Sequence, residues 1–143
     1  MIVDPPAPSM PAGIERSARL RAVILGSRAP RRAAAWYRRA LGLSGRDEVL
    51  EAGDVELRIT SRADVAPAAV EPIRAVLNFA VDDILAVEAR LVVMEAIWVR
   101  ELERTPWGII GTVLDLDGNL VQIIEPTPQH VALLPDDEED EEE

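Results

Sequence analysis

Cysteine is absent from this 143-residue chain, and so is lysine; histidine occurs once, as His130. Without cysteine there is no disulfide framework, no thiolate metal site and no cysteine nucleophile. A single histidine beside the C-terminal tail leaves no basis for a Ser-His-Asp arrangement or a histidine-rich metal site. His130 reads as an exposed tail residue. No apolar run is long enough to cross a bilayer. The stretch Met1 to Gly13 has neither a basic start nor an apolar middle and carries Pro5, Pro6, Pro8 and Pro11, so it does not read as a signal peptide. The expectation is a soluble cytoplasmic protein with no membrane partner.

The formal charge of −11 is unevenly placed. Residues 136–143 are all acidic and hold eight of the negative charges. The other 18 acids face 15 arginines, which leaves −3 for the rest of the chain. That balance gives no footprint for a nucleic-acid backbone. The chain divides into a proline-rich lead-in (1–16), one domain (17–128) and an acidic tail (129–143) that reads as disordered, because a block of like charge repels itself in a compact state.

Within the domain the pattern alternates between strands and helices. Leu20 to Ser27 is a short apolar run suited to a buried strand. Pro30 can open a helix, since the N–H it lacks would have no partner in the first turn. Ala33, Trp36, Tyr37, Ala40 and Leu41 then form one apolar helical stripe, and Gly42 is the stop. The stripe makes Trp36 a core residue. Val49 to Ala52 and Asp54 to Thr60 read as a hairpin, with Val55, Leu57 and Ile59 on one face and Glu56, Arg58 and Thr60 on the other. Between Leu43 and Glu48 there is little room for a full strand.

The order then repeats. Ala75 to Val81 is a strand, Asp82-Asp83 caps a helix from Ile84 to Met94, and Ile97 to Glu101 and Ile109 to Leu114 are strands. The last two are joined through Thr105-Pro106-Trp107-Gly108. Asp115-Leu116-Asp117-Gly118-Asn119 reads as a tight turn rather than a calcium loop, because its glycine comes too early. Leu120 to Glu125 closes the sheet. Gly53 to Thr60 falls on Gly118 to Glu125, and Ala22 to Ala29 on Val76 to Asp83, as in an internal duplication. The modules span about 19–62 and 73–127. The fold class is α+β, with two β-α-β-β(-β) modules forming a curved mixed sheet around a cavity.

Four segments carry a resemblance to a known family: Ala34-Ala35-Trp36-Tyr37-Arg38-Arg39-Ala40-Leu41-Gly42-Leu43, Phe79-Ala80-Val81-Asp82-Asp83, Thr105-Pro106-Trp107-Gly108, and Asp115 to Pro126. Their order over residues 19–128 resembles the vicinal oxygen chelate superfamily, that is, the glyoxalase/bleomycin-resistance/dioxygenase fold. The resemblance implies a cavity walled by the paired modules and a homodimer. It also implies a question about metal, since the family's enzymes hold a divalent ion with His, Gln or Glu from the first and last strand of each module. Here those positions fall on Ala22, Thr60, Val76 and Glu125. Only Glu125 is an ordinary ligand, and a one-residue slip would not restore the set, because Val23, Ala75 and Leu77 have no donor.

The expectation is therefore no metal and no cofactor, with no catalytic residue assigned. Glu56, Arg58, Thr60, Asn78 and Glu125, set among Ala22, Ile24, Val76, Val121 and Ile123, would line a basin for a small-molecule ligand. Trp98 and Trp107 are candidate contacts, since tryptophan offers broad area and one donor. The function implied is metal-independent binding of a small molecule, with antibiotic sequestration as the form known among relatives. Two alternatives stay open: a metal-dependent lyase, isomerase or dioxygenase of the same superfamily, and a protein-interaction module using the acidic tail.

Overall fold

The computed structural model describes residues 18–128. The expected lead-in, the acidic tail and His130 lie outside the described residues. In chain order the elements are β1 (Ala22–Ser27), α1 (Pro30–Leu41), β2 (Ser44–Arg46), β3 (Val49–Ala52), β4 (Val55–Ser61), a short 3-10 turn (Pro72–Arg74), β5 (Leu77–Ala80), α2 (Ile84–Val93), β6 (Trp98–Thr105), β7 (Gly108–Leu114) and β8 (Leu120–Pro126).

The strands form two four-stranded sheets of matching order, β1-β4-β3-β2 and β5-β8-β7-β6. In each, the first strand pairs parallel with the last, and the other pairings are antiparallel. The duplication read from the sequence is thus present in the topology. The short interval after Leu43 holds a three-residue β2. It can form because Gly45 lies at φ 121, and a Cβ there would collide with the Val49 carbonyl. The Thr105–Gly108 connection is a two-residue hairpin tip, so β6 runs further than expected, to Thr105.

The helices start and stop as their sequences dictate. Pro30 opens α1, and Gly42, left-handed at φ 68, closes it by donating its N–H to the Arg38 carbonyl. Ala33, Ala34, Tyr37 and Ala40 make the buried stripe, and Trp36 packs against the core edge-on to Tyr37, 5.0 Å between ring centroids. At the start of α2, Asp83 accepts from the Ala86 N–H at 3.1 Å. Ile84, Val87 and Leu91 are its buried face.

Both modules share one core. It joins Leu50, Leu57 and Ile59 of the first sheet to Val113, Val121 and Ile123 of the second, through the buried faces of α1 and α2. Arg90 of α2 donates to the Ala40 carbonyl of α1, and the Tyr37 ring lies 6.2 Å from that of Phe79 on β5. Since side chains alternate along a strand, the other face of each sheet points away from this core. These are the open faces.

Candidate functional site

Strand register decides which side chains share an open face. In the first sheet Ala22, Ile24 and Gly26 of β1 stand beside Glu56, Arg58 and Thr60 of β4, and Val49 and Glu51 of β3 lie across from Arg58 and Glu56. The buried neighbours Leu57 and Ile59 fix the opposite orientation. Glu56 and Arg58, two residues apart on one strand, form an ion pair at 2.9 Å with both side chains about two-fifths exposed. A pair so exposed adds little stability, but it presents a fixed charged edge beside Ile24, which is 62 % exposed.

In the second sheet Asn78 pairs with Gln122, and Thr112 of β7 flanks Gln122 on the other side. The Asn78 Nδ2 donates to Gln122 Oε1. Ala80 and Ile110 stand next to Ile124 on the same face. Each open face therefore combines one polar couple, Glu56–Arg58 or Asn78–Gln122, with aliphatic side chains.

Several expected residues sit elsewhere. Glu125 is on the core side: its Oε1 accepts the Ile84 N–H at 2.9 Å and so caps α2. Val121 and Ile123, expected in the basin, are fully buried in the core. The cause is the turn. The β3–β4 turn has two residues and the β7–β8 turn has five, so matching their glycines shifts the last strand by one residue. A one-residue shift exchanges faces along the whole strand. The residue opposite Ala80 is Ile124, as Thr60 is opposite Gly26. Gln122 and Ile124 are thus the open-face residues that the sequence comparison missed. The parallel pairings of β1 with β4 and of β5 with β8 set the register that finds them.

Trp98 is also on the core side. It pairs with buried Val113 and lies over Gly111, where a Cβ would come within 3.1 Å of its ring. Trp107 is at the tip of the β6–β7 hairpin, 54 % exposed. Its carbonyl accepts from the Thr127 N–H, and its own N–H donates to Thr105 Oγ1, which holds the tip against the end of β8.

The β7–β8 turn is organised by buried Asp115. One oxygen accepts the N–H groups of Asp117 and Asn119; the other accepts the Asn119 amide and the Tyr37 hydroxyl. With every lone-pair direction in use, Asp115 is a turn organiser and not a cation ligand. Burial, and then the charge of Asp115, push the Tyr37 hydroxyl well above its ordinary pKa.

The metal positions can now be read from register. They hold Ala22, Thr60, Val76 and Ile124: three aliphatic side chains and one hydroxyl. Among the described residues no three His, Cys, Asp or Glu side chains are grouped to hold an ion. The residues present do not fit the family's metal.

A family model for the Glyoxalase/Bleomycin resistance protein/Dioxygenase superfamily matches residues 19–123. The chain belongs to that superfamily. Among solved structures it is similar to TioX from Micromonospora sp. ML1, at 20 % identity over 77 % of this chain and all of that one, with a TM-score of 0.59. It is similar too to TnmS3, described as an antibiotic binding protein from Streptomyces sp. CB03234, at 18 % identity, 78 % and 98 % coverage and a TM-score of 0.59. A glyoxylase/bleomycin resistance protein/dioxygenase domain from Frankia sp. EAN1pec matches at 16 % identity, 78 % and 99 % coverage, with a TM-score of 0.62. No curated protein sequence matches significantly. At such identities the structural likeness speaks for the fold. None of the described helices is long and apolar enough to cross a membrane.

Proposed function

We propose that this protein binds a small organic molecule on its open sheet faces without a metal ion, and that its role is sequestration of an antibiotic-like compound. One observation carries this reading. At the positions where the family's enzymes hold their ion stand Ala22, Thr60, Val76 and Ile124, while the same faces offer aliphatic surface around two hydrogen-bonding couples. Such a surface suits a ligand that is mostly apolar with a few polar groups. The antibiotic binding described for TnmS3 supports the choice of ligand class.

The site residues in this reading are Glu56, Arg58, Thr60, Asn78 and Gln122, with Trp107 as an edge contact. A second copy of the chain completes the cavity. Supporting that, β1 and β5 are both sheet edges, and Ile24 on the first and Val76 just before the second are 62 % and 38 % exposed. Exposed apolar side chains beside unpaired strand edges favour burial against a partner.

The test is a fluorescence screen of chelator-treated protein against a panel of polycyclic and peptide antibiotics, followed by variants. For a hit, Arg58→Ala or Gln122→Ala should weaken binding about tenfold, the worth of one charged or buried hydrogen bond. Glu125→Ala should leave affinity unchanged. Wild-type affinity in both Arg58→Ala and Gln122→Ala would refute this assignment of the site.

A further inference from the structure

A cavity of about 270 Å³ lies where the two modules meet, at the Gly26 end of the first open face and beyond its polar couple. Its floor is Gly26 and Ser27 at the end of β1, one wall is Asp117 and Asn119 in the β7–β8 turn, and its roof is the linker from Val65 to Val70. This roof is fastened at both ends. Arg28 Nε donates to the Val65 carbonyl at 2.8 Å, and the Ala69 N–H donates to the Asp117 carbonyl at 2.8 Å. The cavity is therefore built from both modules and from the segment joining them. Its volume sits near the lower bound of small-molecule pockets.

Its chemistry is one-sided. Ser27 is 1 % exposed; its hydroxyl accepts the Ala29 N–H and hydrogen-bonds to Asp117. Burial pushes the Asp117 carboxyl above its usual range, the Ser27 hydrogen bond pulls it back, and the charge of Asp115 adds to the rise. That carboxyl is half-buried, and among the described residues no arginine forms an ion pair with it. The Asn119 amide nitrogen is committed to Asp115, which leaves its carbonyl as the free end. At the adjoining start of α1, Pro30 has no N–H and that of Ala29 is taken, so these two residues offer an anion nothing. The rest of the lining is the small aliphatic residues Val65, Ala66, Ala68, Ala69 and Val70.

We propose that this junction cavity is a second ligand site, which takes a small primary ammonium with a short alkyl chain. The ammonium lies against Asp117 and the Asn119 carbonyl, and the chain lies under the alanine-rich roof. Occupation would bridge the first module, the linker and the second module, so the ligand would also fasten the modules together. The site shares no residue with the open-face couples and stands or falls independently of them.

The experiment is an amide NMR titration of the full-length protein with n-butylammonium chloride, with n-butanol and sodium butyrate as controls at matched ionic strength. Saturating shifts at Gly26, Ser27, Ala66, Ala69 and Asn119 are expected with the ammonium alone. Asp117→Asn should weaken the ammonium about tenfold, as expected for loss of a charged hydrogen bond. Ala68→Leu, on an exposed part of the roof, should fill the space and abolish the shifts, with Ala66→Leu as the alternative filler. The proposal is overturned if these amides do not respond, if butanol or butyrate produces the same shifts, or if both fillers bind the ammonium as the wild type does.

Discussion

Changing Tyr37 to phenylalanine removes one oxygen and keeps the ring against Trp36 and Phe79. What is lost is a hydrogen bond of 2.5 Å from a fully buried hydroxyl to the buried Asp115 carboxylate. Such a bond to a charged group contributes about 1.5–3 kcal/mol. Asp115 keeps three other donors in its own turn, so the loss should fall near the middle, about 2 kcal/mol. For a domain of this size that corresponds to a melting temperature about 6–8 °C lower. Urea unfolding followed by far-UV circular dichroism measures it directly. The same variant carries a pH signature. The folded-state pKa of Tyr37 is raised above the ordinary 10.0, so its stabilising contribution is complete below that pH. It is lost as pH rises further, because the unfolded chain ionises first. Wild-type stability should therefore fall by about 1.4 kcal/mol per pH unit more steeply than that of Tyr37→Phe above pH 10. A variant within about 0.5 kcal/mol of wild type, with the same alkaline slope, would refute the role given to this bond.

Other predictions follow from single contacts. Glu125→Ala should cost about 1 kcal/mol, as for loss of a helix cap, and hydrogen exchange should quicken at the first turn of α2 while Arg58 and Gln122 amides keep their protection. Gly108→Ala should cost at least about 2 kcal/mol by thermal melting, since its φ of 145 and the approach of the Glu125 carbonyl exclude a side chain; near-neutral behaviour would mean that the β6–β7 hairpin is held differently.

The fold was legible because local signals agreed with one another. Pro30 and Gly42 bracket α1, Asp83 starts α2, and Val55, Leu57 and Ile59 alternate with Glu56, Arg58 and Thr60 as a half-buried strand must. The candidate site was legible only where one strand's own alternation decides the face. Glu56, Arg58 and Thr60 share a strand whose own alternation sets their face, and Asn78 follows from the alternation of β5. Glu125 and Trp98 were misplaced for a different reason. Their faces depend on register against another strand, and register follows turn length and, along β6, irregular pairing at Arg100 and Glu103. The five-residue β7–β8 turn, held by an aspartate whose buried tyrosine partner is 78 positions away, has no local signature that fixes this parity.

The most direct test of metal-independent binding is the metal content of protein purified without chelator or metal-affinity resin, by elemental analysis after dialysis against manganese, iron, zinc and nickel salts. The account predicts no stoichiometric ion, with ligand affinity unchanged by chelation. About one tightly held divalent ion per chain, with ligand binding lost on its removal, would contradict it.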